Sequence, residues 1–142
     1  MVKVQSGKGS EGQSGKGSER KVKTFRDLFV WKKSMALVVE IYQESKLFPA
    51  EEQFGLIAQI RRSATSIPCN IAEGFGRKTT QDYLRFLYMA AGSHYELQTQ
   101  LEISFNLNFL DKDKFDKLND STKEIERMLS SLIKKLNARS SL

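Results

Sequence analysis

From Leu28 to Leu136 the apolar residues recur at alternating steps of three and four in four separate stretches, and this rhythm constrains the chain more than any other feature. On an α-helix such spacing gathers apolar side chains along one face, whereas a strand requires alternation in twos. The first stretch is Leu28, Trp31, Met35, Val38 and Tyr42, running to about Lys46. The second is Ile57, Ile60, Ala64, Ile67 and Ile71, and the fourth is Leu118, Thr122, Ile125, Leu129, Leu132 and Leu136. Between them, Phe86, Leu87, Ala90, Leu97, Leu101 and Phe105 lead to Asn108. Two overlapping stripes fit this third stretch, Phe86/Ala90/Ser93/Leu97 and Leu87/Ala90/His94/Leu97, so its apolar face is broad enough to be covered on more than one side.

The residues between the stretches read as helix ends. Thr24 with Asp27, and Thr79 with Asp82, have the form of capping boxes, and Asp111 suits the start of the fourth helix. Leu47-Phe48-Pro49 breaks the first helix; Pro49 suits the first turn of the second, where Glu51 and Glu52 meet the positive helix end. Gly74 or Gly76 is expected to stop helix two in a left-handed conformation. Helices of about 22 to 29 residues reach roughly 33 to 44 Å, and links of a few residues force neighbours to run antiparallel. The expectation is an all-α, antiparallel up-down-up-down four-helix bundle over residues 24–137, with residues 138–142 frayed.

Residues 5–11 and 13–19 both read QSGKGSE. A Gly/Ser/Lys segment without large apolar residues cannot offset the entropy of ordering its backbone, so residues 1–23 are expected to be a disordered tail. It reads either as a basic arm that touches phosphates or as an inert spacer. Of the formal net charge of +6, this tail carries +4, from six basic and two acidic residues, and the bundle is close to neutral. The single cysteine, Cys69, excludes an internal disulfide and favours a reducing compartment. No apolar run approaches the roughly 20 residues that span a bilayer, and the expected location is the cytoplasm, without a membrane partner.

Candidate chemistry is sparse. Pro68 lies inside helix two and is expected to kink it, because it cannot donate to the carbonyl of Ala64. Arg62, Ser66, Asn70 and Glu73 fall on nearly one face, either as a binding row or as intramolecular glue, with Asn70 satisfying backbone groups that Pro68 opens. Pro68, Asn70, Glu73 and Gly74 are therefore read as a structural motif. The run from Gly74 to Thr79 lacks the spacing of a phosphate-binding loop and reads as a turn. The only histidine, His94, has no companion ligands and reads as a satisfied core residue. Neither an enzyme, a metal nor a cofactor is expected. Arg61, Arg62, Arg77, Lys78 and Arg85 gather in sequence around the second turn, with Phe75 and Tyr83 among them. Such a set reads either as an RNA- or DNA-binding patch or as a solvated face.

The run Gln59-Ile60-Arg61-Arg62, the string Ser66-Ile67-Pro68-Cys69-Asn70-Ile71-Ala72-Glu73-Gly74, and the segments Tyr83-Leu84-Arg85-Phe86-Leu87 and Glu96-Leu97-Gln98-Thr99-Gln100-Leu101 resemble bacterial proteins encoded in intervening sequences of 23S ribosomal RNA genes. The opening Phe25-Arg26-Asp27-Leu28 fits as well, so the likeness covers about residues 25–136. It implies a four-helix bundle assembled as a ring-like pentamer. It also implies a distant relation to accessory proteins of diversity-generating retroelements, whose partners are nucleic acid and a reverse transcriptase. The function expected on these grounds is a non-enzymatic homo-oligomeric scaffold or accessory protein that binds RNA or DNA; the alternative is a protein–protein interaction module with no nucleic-acid role.

Overall fold

A computed structural model describes residues 22–140, so the tail expectation lies outside the described residues except at Val22 and Lys23. Four helices follow in order: α1 (Phe29–Ser45), α2 (Leu56–Phe75), α3 (Thr80–Asn106) and α4 (Lys112–Ser140), with single 3-10 turns at Phe25–Asp27 and Ala50–Glu52. Each helix packs on its sequence neighbours and α4 closes against α1, which gives the up-down-up-down bundle. Among the described residues there is no strand, and no helix is long and apolar enough to cross a membrane.

The ends form largely as the local chemistry dictates. Thr24 and Asp27 make the full capping box, with the Thr24 hydroxyl accepting from the amide of Arg26 and the Asp27 carboxylate accepting from Thr24 and Lys23. These amide bonds hold the Asp27 carboxyl below its ordinary pKa. The box starts a 3-10 turn rather than α1 itself, which begins at Phe29. Likewise Pro49 opens the turn Ala50–Glu52, and α2 starts later, at Leu56, whose amide donates to Glu52 Oε1 at 3.1 Å. Thr79 caps α3 and Asp111 caps α4, accepting from the amides of Asp82 (3.1 Å) and Lys114 (2.9 Å). At the end of α3, Asn108 takes φ 66°, and the amides of Asn108 and Phe109 reach back to the carbonyls of Phe105 and Ser104. This is a Schellman closure with asparagine in the left-handed position. α4 continues to Ser140, past the fray expected at residue 138.

The core contains Ile57, Ile60, Ala64, Ile67 and Ile71 of α2, Leu87, Ala90, Leu97 and Leu101 of α3, and Leu118, Ile125, Leu129 and Leu136 of α4, as their spacing predicts. In α1 the expected register is overturned. The buried face is Val30, Ser34, Leu37, Ile41 and Ser45, while Met35 and Tyr42 are exposed and Leu28, Trp31 and Val38 only half-buried. Both stripes repeat at three-four steps, about 100° apart around the helix, so periodicity cannot choose between them. Packing chooses the one with two serines. Ser34 donates back to the Val30 carbonyl at 2.7 Å and Ser45 accepts from Arg61 Nε at 2.8 Å, so both are satisfied and leave room for close contact.

This register makes a direct prediction. Leu37→Ala should cost about 2–5 kcal/mol in chemical denaturation, the range for an emptied core site. Met35→Ala should cost less than about 1 kcal/mol; equal costs would restore the other register.

Candidate nucleic-acid interface

The five basic residues that the sequence groups together do not form one patch. Arg61 and Arg62 lie in the first two turns of α2, roughly 20 Å along its axis from the turn that carries Arg77 and Lys78. Arg61 is used internally. Its guanidinium reaches Ser45 and the Tyr42 carbonyl and lies 4.5 Å from the Tyr42 ring, tying α2 to α1. Arg62 is exposed on the same turn of α2. Arg77, Lys78 and Arg85 do converge, around the short link from α2 to α3.

That link is set by a close approach. Gly74 is buried inside the last turn of α2, and a Cβ there would lie 2.8 Å from Phe86 Cβ and 3.1 Å from Tyr83 Cδ1. No glycine among the described residues has a positive φ, so the expected left-handed stop is replaced by a packing role for Gly74. Phe86, buried by this contact, carries Arg77 at 4.5 Å and Arg85 at 4.7 Å from its ring centre. Arg77 also pairs with Glu73 at 2.9 Å, and Arg85 with Asp82 at 3.7 Å. Tyr83 packs edge-on against Phe75. Burial pushes its hydroxyl up to about 12, with the positive charge of Arg139 opposing that shift.

The rest of the motif is internal. α2 runs unbroken through Pro68. Asn70 Nδ2 donates to the Ser66 carbonyl and to Ser66 Oγ, both at 2.9 Å, so it serves Ser66 and not the Ala64 carbonyl that Pro68 leaves without a donor. Ser66 Oγ in turn meets Ser93 Oγ of α3 at 2.8 Å, and Ser63 reaches Glu96 at 3.5 Å. His94 is buried and donates from Nε2 to the Thr122 carbonyl at 2.6 Å, joining α3 to α4. Among the described residues no group of three or more His, Cys, Asp or Glu side chains could hold a metal ion.

Further basic residues reach the α2–α3 link from parts of the chain that sequence spacing did not connect to it. The last turns of α4 lie beside the start of α3: Gln81 bonds Ser140 at 3.3 Å and Asn137 bonds the Tyr88 hydroxyl at 3.2 Å. Lys134, Lys135 and Arg139 are thereby brought to this end, as are Lys23 and Arg26 at the start of the described chain. The half of the bundle nearest this end, residues 22–37, 66–92 and 124–140, holds eleven basic and five acidic residues. The other half holds seven basic and ten acidic residues. Of the basic groups at this end, Lys78, Lys134 and Lys135 are exposed and make no ion pair among the described residues. The missed signal was topological: once helices alternate in direction, the end of the fourth must meet the second link.

The Gly74–Phe86 contact can be checked alone. Gly74→Ala should lower stability by about 1–3 kcal/mol in urea denaturation, as overpacking does. An unchanged midpoint would mean that the two helices are further apart than described.

No curated protein matches. Among solved structures the chain is similar to a protein of unknown function from the S23 ribosomal protein family of Bacteroides thetaiotaomicron, at 28% identity and a TM-score of 0.67, covering 74% of this chain and 98% of that one. Residues 26–131 match the family described as 23S rRNA-intervening sequence protein, which takes in all of α1, α2 and α3 and most of α4. On that match, over well more than half its length, the chain belongs to the 23S rRNA-intervening sequence protein family.

Proposed function

We propose that this protein is a non-enzymatic, homo-oligomeric helical scaffold or accessory protein whose basic end holds the phosphate backbone of RNA or DNA. The observation that carries the reading is the segregation of charge along the bundle, with eleven basic against five acidic residues in one half and seven against ten in the other. A polyanion binds where cations gather, because each neutralised phosphate releases counterions. Lys78, Lys134 and Lys135 are free to make such contacts, and Arg77 and Arg85 are oriented by stacking on Phe86. Arg61 and Arg62 stand outside the proposed surface.

Assembly is supported by the outer face of α1. Trp31, Met35, Val38, Val39 and Tyr42 form an apolar stripe from which charged side chains are absent between Met35 and Val39, and Met35, Val39 and Tyr42 are 40–54% exposed. Aromatic residues and methionine on a charge-poor face are the composition of interface centres. Five copies is the number that the family resemblance implies. Brought together in a ring, the basic ends would present a repeated cationic surface.

Two outcomes are expected. Binding of a single-stranded RNA, followed by fluorescence anisotropy, should weaken steeply with salt, and the combined variant Lys78→Glu, Lys134→Glu and Lys135→Glu should lose at least about tenfold in affinity and reduce the salt slope by about 2. Arg62→Glu should change little, and absence of RNA and DNA binding at low salt would end the nucleic-acid part of the proposal. For assembly, light scattering should give a multiple of the 16.2 kDa chain, reduced to a monomer by Met35→Glu with Val39→Glu. A monomeric parent protein would remove that part.

A further inference from the structure

The opposite end of the bundle is made by the α1–α2 link, residues 46–55, and the α3–α4 link, residues 107–111. Its interior is already sealed. Phe48 and Leu110 are buried, the Phe48 and Phe109 rings meet at 5.5 Å, and Phe105 stacks on Phe115 at 4.7 Å. Outside this seal, Leu47, Phe54, Ile103 and Leu107 face solvent, with Leu47 70% and Phe54 92% exposed. The Phe48–Phe109 contact joins the two links that carry Leu47, Phe54 and Leu107, so all three exposed side chains belong to this end of the bundle. A lone exposed apolar residue is ordinary; several large ones at one end of a bundle make that end a candidate interaction surface.

The charge around them has a definite sign. Residues 44–56 and 102–116 contain seven acidic residues and three lysines. Two of the lysines are consumed internally, Lys112 by Asp116 at 2.9 Å and Lys114 by Glu44 at 3.3 Å. Glu51 and Asp113 are exposed and have no ion-pair partner among the described residues. Nucleic acid is repelled from such an end. A second copy docking through the apolar stripe of α1 would leave the acids unpaired.

We infer that this end docks a basic, amphipathic helical segment of a partner protein, whose apolar side chains seat on Phe54, Leu47 and Leu107 while its lysines or arginines pair with Glu51 and Asp113. Apolar anchors supply the affinity and complementary charge supplies orientation and approach rate. The two ends of the bundle then serve different ligands, and the docking surface stands whether or not the basic end binds nucleic acid.

The test uses the full chain and a fluorescein-labelled helical peptide of leucine and lysine, about 14 residues or four turns long. The same peptide with glutamate in place of lysine is the control. Micromolar binding of the lysine peptide alone is expected, with at least about a tenfold loss in Phe54→Ser with Leu107→Ser, and a similar loss in Glu51→Lys with Asp113→Lys. Lys134→Glu should leave binding unchanged. The substituted residues are exposed, and far-ultraviolet circular dichroism checks that the variants keep their helices. Equal binding of the glutamate peptide, binding indifferent to both end variants, or no binding would overturn the inference. So would breakdown of an oligomer into smaller particles by Phe54→Ser with Leu107→Ser, which would make this end a contact between copies.

Discussion

The approach of α2 to α3 is the constraint on which the rest of the structure depends. Gly74 lets the end of α2 settle against Phe86 and Tyr83, and Ser63 and Ser66 meet Glu96 and Ser93 further along. Small side chains bring the two backbones close, and the hydroxyls of Ser63, Ser66 and Ser93 find partners across the seam. With these helices locked as an antiparallel pair, α1 and α4 can only fill the remaining two sides. His94 then joins α3 to α4 through the Thr122 carbonyl, and Arg61 joins α2 to α1 through Ser45.

Alternating helices turn a nearly balanced sequence into a polar object. The described residues carry eighteen basic and fifteen acidic side chains, a balance with no obvious sign. Because the α2–α3 link, the entry to α1 and the last turns of α4 share one end, positive charge accumulates there and negative charge at the other. Charges separated by the length of the bundle, well beyond the roughly 10 Å over which salt screens, act as independent sites. The two ends of one molecule thus carry an excess of opposite charge, with the apolar stripe of α1 between them.

Much of the fold was legible in the residues. The faces of α2 and α4, the caps at Thr79 and Asp111, and the double stripe of α3 are each stated by local spacing or side-chain chemistry. In α3, one stripe faces the core through Leu87 and His94, and the other faces α2 through Ser93. α1 was misread because it carries two apolar stripes of identical period, and the one with Ser34 and Ser45 looks the less apolar. The candidate site was legible only in part. Arg77, Lys78 and Arg85 share a link, but proximity in sequence said nothing true about Arg61 and Arg62, which are separated from them by most of a helix.

By itself the sequence determined that four helices form, where α3 and α4 begin, and that the chain resembles its family over most of the bundle. These follow from interactions within a few residues: periodicity, caps and the break at Pro49. Tertiary structure alone decided which stripe of α1 is buried, that Gly74 serves packing rather than a turn, and that Lys134, Lys135 and Arg139 join Arg77 and Lys78. Each of those outcomes depends on the space and charge supplied by a different helix, and no property of the local chain encodes what lies across the interface.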